Sequence, residues 1–157
     1  MLSTNVRNHI LEAIYGRFGE SGRVIISTSD RCYLGFSTAT PTISAEGECT
    51  AFPEPAASTG YVRLELRNPG LPDASAVMPA AVDGEIKNST ANLTFDAPND
   101  GQSYGKATHI GIFAEKTGGL PIMTIQLTTE VTLGLKATLV LEKNKLTTAL
   151  TATDATV

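Results

Sequence analysis

The chain has no tryptophan, two cysteines and two histidines among its 157 residues, and only 18% of its side chains are charged and 6% aromatic. Each scarcity removes a class of function. Two thiols, Cys32 and Cys49, are too few for a disulfide scaffold. His9 and His109 stand far apart, and no His or Cys pair has ligand spacing, so a zinc site would have to recruit distant Cys32 or Cys49. The net charge of -4 and a pI near 5.1, with no clustered Lys or Arg, argue against binding nucleic acid through phosphates. No apolar run approaches the roughly 20 residues that cross a bilayer, and the N-terminus lacks a basic segment followed by an apolar core. No membrane role is therefore expected.

Catalytic motifs are missing as well. The chain holds no Gly-x-Ser-x-Gly elbow, no phosphate-binding Gly-Lys-Ser/Thr loop and no His-Glu-x-x-His pair. Carboxylates occur at Glu46, Glu48, Glu54, Asp73, Asp83, Glu85, Asp96, Asp100 and Glu115, mostly in turn-like surroundings where they face solvent rather than pair for glycoside cleavage. Asp96, Asn99 and Asp100 are close together but lack the alternating spacing of a calcium loop. Neither an enzyme nor a resident metal or cofactor is expected. Asn88-Ser89-Thr90 and Asn92-Leu93-Thr94 match the glycosylation sequon, which carries no weight without a secretion signal.

What the chain does have is β-strand pattern. From Ala107 to Ala114 neither alternate face is strongly polar, as in a strand covered on both sides, and Lys116-Thr117-Gly118-Gly119 then allows a reversal. His109 reads as a packed residue of that strand, bonded to a backbone carbonyl or meeting its own copy at a symmetry axis. Tyr61 to Arg67 alternates cleanly, which points Val62, Leu64 and Leu66 inward and Tyr61, Arg63, Glu65 and Arg67 outward. Further strands are expected at Arg23–Ser27, Arg31–Ser37, Leu93–Phe95, Ile122–Leu127, Val131–Lys136, Ala137–Leu141 and Lys145–Leu150.

One short α-helix is predicted, from about Asn5 to Arg17 within residues 1–19. Ser3 or Thr4 caps it, Gly16 and Gly19 stop it, and Val6, Ile10 and Ile14 form an apolar stripe. That stripe docks on the protein's own sheet or, alternatively, on a neighbouring subunit. Prolines keep residues 39–59 and 68–83 out of central sheet positions, making them surface loops where partner contacts belong. The four tyrosines lie at 15, 33, 61 and 104; Tyr33 reads as core, and Tyr104 as the one plausible exposed platform for a glycan. Residues 151–157 form a polar tail. With 41% hydrophobic residues the chain can bury a core as a single domain, residues 1–157. The expected architecture is mainly β, an antiparallel β-sandwich of jelly-roll type with one N-terminal helix.

The order of certain pieces is also distinctive. Tyr33-Leu34-Gly35-Phe36-Ser37-Thr38-Ala39-Thr40-Pro41 is followed by Thr59-Gly60-Tyr61-Val62-Arg63. Then come Leu93-Thr94-Phe95-Asp96-Ala97, Gly105, Thr108-His109-Ile110-Gly111-Ile112-Phe113 and Thr117-Gly118-Gly119. In this order they resemble a family of small virion proteins of tailed phages and prophages, usually labelled tail fibre or minor tail proteins, with the pattern YLGLST…P…GGYAR…N…ITFPA…G…THFGIFD…TGG. Two departures stand out: Asp96 replaces the usual Pro of the FPA piece, and the loop from Thr42 to Ser58 is long.

The resemblance implies a non-enzymatic structural component of a virion, present in many copies in the tail, baseplate or fibre. It implies assembly in the host cytoplasm, a compartment in which Cys32 and Cys49 are expected as free thiols although their separation permits a bridge. Its partners would be other virion structural proteins and further copies of itself, a trimer being favoured. A capsid decoration or head-fibre protein is the first alternative. A module that binds host-surface glycan is the second.

Overall fold

In the computed structural model, residues 10, 32–67, 82–83, 85–88 and 91–149 are described. They form ten strands: β1 (Cys32–Ser37), β2 (Thr42–Ile43), β3 (Cys49–Ala51), β4 (Leu64–Arg67), β5 (Glu85–Lys87), β6 (Leu93–Phe95), β7 (Gly105–Phe113), β8 (Met123–Leu133), β9 (Leu139–Leu141) and β10 (Thr147–Ala149). The protein is mainly β and its sheets are antiparallel. Two compact units are drawn from interleaved stretches. Cys32–Glu65 and Thr94–Val140 make one; the described parts of Leu66–Leu93 and Leu141–Val157 belong to the other. The only helical element with defined bounds among the described residues is a 3₁₀ turn at Ala57–Thr59. Apart from Ile10, the helix expected from Asn5 to Arg17 lies outside the described residues, as do the strand expected at Arg23–Ser27 and the 151–157 tail.

The first unit is built on a four-stranded sheet in the order β4-β1-β7-β8. β7 holds an interior position because both of its faces are apolar. Ala107, Ile110, Ile112 and Phe113 are all buried, and the strand pairs with β1 on one side (Tyr33 opposite Phe113, Ser37 opposite His109) and β8 on the other. It ends where the sequence predicts, in a reversal through Gly118 and Gly119, whose φ angles of 69° and 64° exclude most other residues. Each large side chain sealed here, Phe36, Phe113, Leu34, Ile110, Ile112 and Leu133 among them, contributes about 1.5–3 kcal/mol of burial. Phe36 lies at the middle, edge-on to Phe95 at 4.9 Å, Tyr61 at 5.1 Å and Tyr104 at 5.6 Å between ring centroids.

Ile122–Leu127 and Val131–Lys136, expected as two strands, are largely one. β8 runs through both, and the break between them is a bulge at which Leu127, Thr128, Thr129 and Glu130 sit opposite Thr108 alone. The segment 39–59 is likewise more ordered than a plain loop. β2 and β3 form a hairpin, closed by a Ser44 hydroxyl that accepts the Glu46 and Glu48 amides, and the strands are exposed rather than central. Of the 68–83 loop, only Val82 and Asp83 are described.

In the second unit β5 pairs with β10, Thr147 opposite Lys87 and Ala149 opposite Glu85. Asn88, at the end of β5, is completely buried. Its Nδ2 donates to the carbonyls of Ala91 (3.1 Å) and Glu142 (2.9 Å), its Oδ1 accepts the Leu146 amide (3.0 Å), and its own carbonyl accepts the Asn144 amide. A side chain usually found in turns is here the bracket of a turn and a strand, and its sequon offers no accessible amide.

Candidate functional site: a buried arginine clamp

The alternation of Tyr61–Arg67 places Arg63 in solvent and Val62 in the core, and the structure reverses both. Val62 is 55% exposed and Arg63 only 5%. The strand begins at Leu64, so residues 61–63 do not follow its pleat. An interior guanidinium costs several kcal/mol in lost hydration unless its donors are all met. Here Nε donates to Glu54 Oε1 (2.8 Å) and Nη2 to Glu54 Oε2 (2.6 Å), while Nη1 donates to the carbonyls of Glu115 (2.8 Å) and Gly118 (2.7 Å). The planar group also lies over the Phe113 ring, 3.4 Å from its centroid. One arginine therefore fastens the segment after β3, its own segment and the reversal after β7.

Tyr61 completes the cluster. Its hydroxyl donates to Glu54 Oε1 (2.8 Å) and accepts the Phe36 amide (3.1 Å). Burial above all, then the charge and hydrogen bond of Glu54, push the phenol's pKa far above its ordinary value, so it stays neutral. Gly35 makes room for the arrangement: a Cβ there would stand 2.7 Å from Tyr61 Oη, 2.8 Å from Glu54 Oε1 and 2.9 Å from the Phe113 ring. A shallow hollow of about 200 Å³ lies over the clamp, lined by Glu54, Tyr61, Val62, Arg63 and Thr117. Glu54 accepts three hydrogen bonds and Tyr61 both donates and accepts, so most of the polar capacity of the cluster is turned inward. What the cluster can do is hold three segments rigid.

Glu54 thus departs from the solvated role expected of the loop carboxylates. Glu46, Glu48, Asp83, Asp96, Asp100 and Glu115 are exposed, whereas Asp73 lies outside the described residues. Asn99 is turned to the chain, its amide donating to the Thr59 carbonyl and its Nδ2 to that of Ser58. Among the described residues no three His, Cys, Asp or Glu side chains converge as metal ligands would. Cys32 and Cys49 are free thiols; burial pushes Cys32 up to about 12.

Of the candidate partner contacts, Val6 and Ile14 lie outside the described residues and Ile10 is half-buried. Tyr104 is not the exposed platform expected. It is 5% exposed, because its ring fills the space beside Phe36 and Tyr61. His109 is half-buried, and its Nδ1 lies 3.0 Å from the Thr108 hydroxyl rather than on a backbone carbonyl. Sequence reasoning missed Arg63 and Glu54 because alternation weighs hydrophobicity and not the partner waiting across the chain. The one available hint was the arginine shared with the GGYAR piece of the resemblance.

Residues 2–149 match the family described as podophage GP4 fiber I protein gp80. The chain belongs to this family. It is therefore a phage fibre-type virion protein, as the resemblance of its motifs implies. No curated protein matches it. The pieces that carry the resemblance come together in the clamp and its floor: Gly35 and Phe36 from the first, Tyr61 and Arg63 from the second, Phe113 and Gly118 from the last two.

Proposed function

We propose that this fibre-family protein is a non-enzymatic, multi-copy structural component of the phage tail or its fibres, assembled in the host cytoplasm and acting through contacts with its own copies and other virion proteins. The observation that carries this reading is the convergence of the motif residues on a buried, densely hydrogen-bonded clamp. A motif set that served chemistry would leave a nucleophile or a proton carrier facing a cavity; this one spends its polar groups on holding segments together.

Within the first unit, Phe36 of β1 packs edge-on against Phe95, the last residue of β6, which supports a second layer over the sheet as in a sandwich. The β8 edge supports assembly. It runs eleven residues, carries Glu130 as its single charge, is largely exposed, and among the described residues pairs with β7 alone. Such an edge is a template for another strand, and a closed ring of copies, a trimer in a fibre, covers every edge at once.

Analytical ultracentrifugation of the purified chain tests the assembly. A discrete oligomer that reverts to monomer with Val131→Lys, at unchanged melting temperature, is expected. A strict monomer at high concentration would count against the reading. Immunogold labelling of intact particles tests the place: gold at the tail supports it, and gold over the head moves the protein to capsid decoration.

A further inference from the structure

A groove of about 560 Å³ separates the β2–β3 hairpin from the start of β8, and both of its sides belong to the same compact unit. Ile43, Ile122 and Met123 give it apolar walls, with Ile43 46% and Ile122 36% exposed, and the thioether of Met123 adapts readily to whatever packs on it. Glu48 is exposed, is the one charged residue in the described lining, and meets no cation among the described residues. The groove therefore suits an apolar side chain with a cation beside it.

The same unit supplies that pair at the other end of β8. Gly134 to Ala137 form a turn, closed by the Ala137 amide donating to the Gly134 carbonyl (3.2 Å), with Leu135 and Lys136 at its tip. Leu135 is 66% exposed, and of the large hydrophobic residues left exposed it alone adjoins a cation without a carboxylate partner among the described residues. Lys136 holds a φ of 58°, a left-handed backbone in which glycine or asparagine ordinarily sits. A leucine and a lysine thus stand where neither packing within the unit nor turn chemistry calls for them.

We propose that the Leu135–Lys136 tip of one copy seats in this groove on the next copy, with Leu135 against Ile43, Ile122 and Met123, and Lys136 Nζ on the Glu48 carboxylate. The contact rests on the multi-copy reading above and gives it a surface other than the β8 edge. A copy cannot fill its own groove. Met123 begins β8 and the tip follows its last residue, Leu133, so even with the bulge the two stand roughly 25 Å apart. The contact joins unlike surfaces: each copy that receives a tip offers one in turn, and the series either closes as a ring or runs on as a filament. One such contact is small, and repetition along an assembly makes up for its weakness.

Disulfide trapping on the full chain tests it, with Cys49 of the groove lining as the native thiol. Lys136→Cys keeps an unbranched side chain at the tip. Under mild oxidation with copper phenanthroline it should bond to Cys49 of a second copy and give a ladder beyond dimer on a non-reducing gel. Cys32 is buried and does not compete. Adding Cys49→Ser should abolish every species beyond dimer, and Lys143→Cys, at another exposed lysine, should give no ladder. Charge provides an independent readout. Glu48→Lys and Lys136→Glu should each weaken self-association several-fold in sedimentation equilibrium, and the double variant should recover it, which a misfolded chain could not do. A ladder that persists when Val131→Lys is added to Lys136→Cys shows the contact standing without the β8 edge. Discrete oligomers with no Cys49-dependent ladder overturn this contact and leave the multi-copy reading in place, whereas monomers with no ladder overturn both. A double charge variant no better than either single one also overturns the proposal.

Discussion

Arg63 and Glu54 meet as a two-pronged ion pair, 2.8 Å from Nε to Oε1 and 2.6 Å from Nη2 to Oε2, with the arginine side chain 3% exposed and the glutamate 22%. Replacing buried pairs by apolar residues can be neutral, but removing one partner leaves a charge with nothing to meet it. Arg63→Leu and Glu54→Gln should each lower unfolding free energy by about 3 kcal/mol, read as a shift of the urea midpoint at unchanged m-value. Arg63→Lys should fail to restore stability, since an ammonium has no planar fork for both Glu54 oxygens and no flat face for Phe113. Full recovery by lysine would mean that charge alone matters at this position.

Gly35 faces the same pair. Gly35→Ala should cost about 1–3 kcal/mol, as overpacking does. The nearest obstacle is the Tyr61 hydroxyl at 2.7 Å, so adding Tyr61→Phe should return part of that loss, a coupling that a double-mutant cycle measures directly. Additive effects would show that the strain lies in the Phe113 contact instead.

Stability should fall on the alkaline side. Cys32 rises from 9.0 to about 12 on folding and Tyr61 is raised as well, so the unfolded chain releases protons before the folded one does. The Cys32 contribution is complete below pH 9 and is lost as pH rises through about 12. The Tyr61 contribution is complete below its ordinary value of 10.0 and is lost above it. Urea midpoints should hold steady to pH 9 and then drop, and the drop should be shallower in Cys32→Ala. In the native state a thiol reagent should reach Cys49 quickly and Cys32 only after denaturant is added.

Asn88→Ala removes three side-chain hydrogen bonds from a fully buried position and should destabilise by about 2–4 kcal/mol. Asn88→Asp should be no better, because a carboxylate cannot donate to the Ala91 and Glu142 carbonyls. Hydrogen exchange at the Leu146 amide, which Asn88 Oδ1 accepts, should speed up in both variants.

The parts of the fold legible in the sequence are those in which local pattern and burial agree. β7 is legible because both of its faces are apolar and two glycines lie in the reversal after it; β6 is legible from simple alternation, Leu93 and Phe95 inward and Thr94 outward. The clamp was not, because Glu54 and Arg63 look like ordinary loop and strand charges until the chain brings them together. Tyr104 was misplaced by the same blindness: a tyrosine beside Ser103 and Gly105 reads as a turn residue, and only the ring of Phe36 pulls it inside. The β8 bulge lay in between, its residues visible as an interruption but not as a detour within one strand.

The interleaving of the two units has a consequence for synthesis. β7 can find β1 as soon as Phe113 has left the ribosome, but β5 must wait for β10 to be translated. The first unit is complete in sequence at Val140, whereas Asn88 lacks its Glu142, Asn144 and Leu146 partners until those later residues emerge. A nascent or prematurely terminated chain would thus carry a formed four-stranded sheet together with a β5 that lacks its partner strand and an Asn88 that lacks its acceptors. Phage assembly would meet such fragments as material for mispairing, and only the finished chain as a building block.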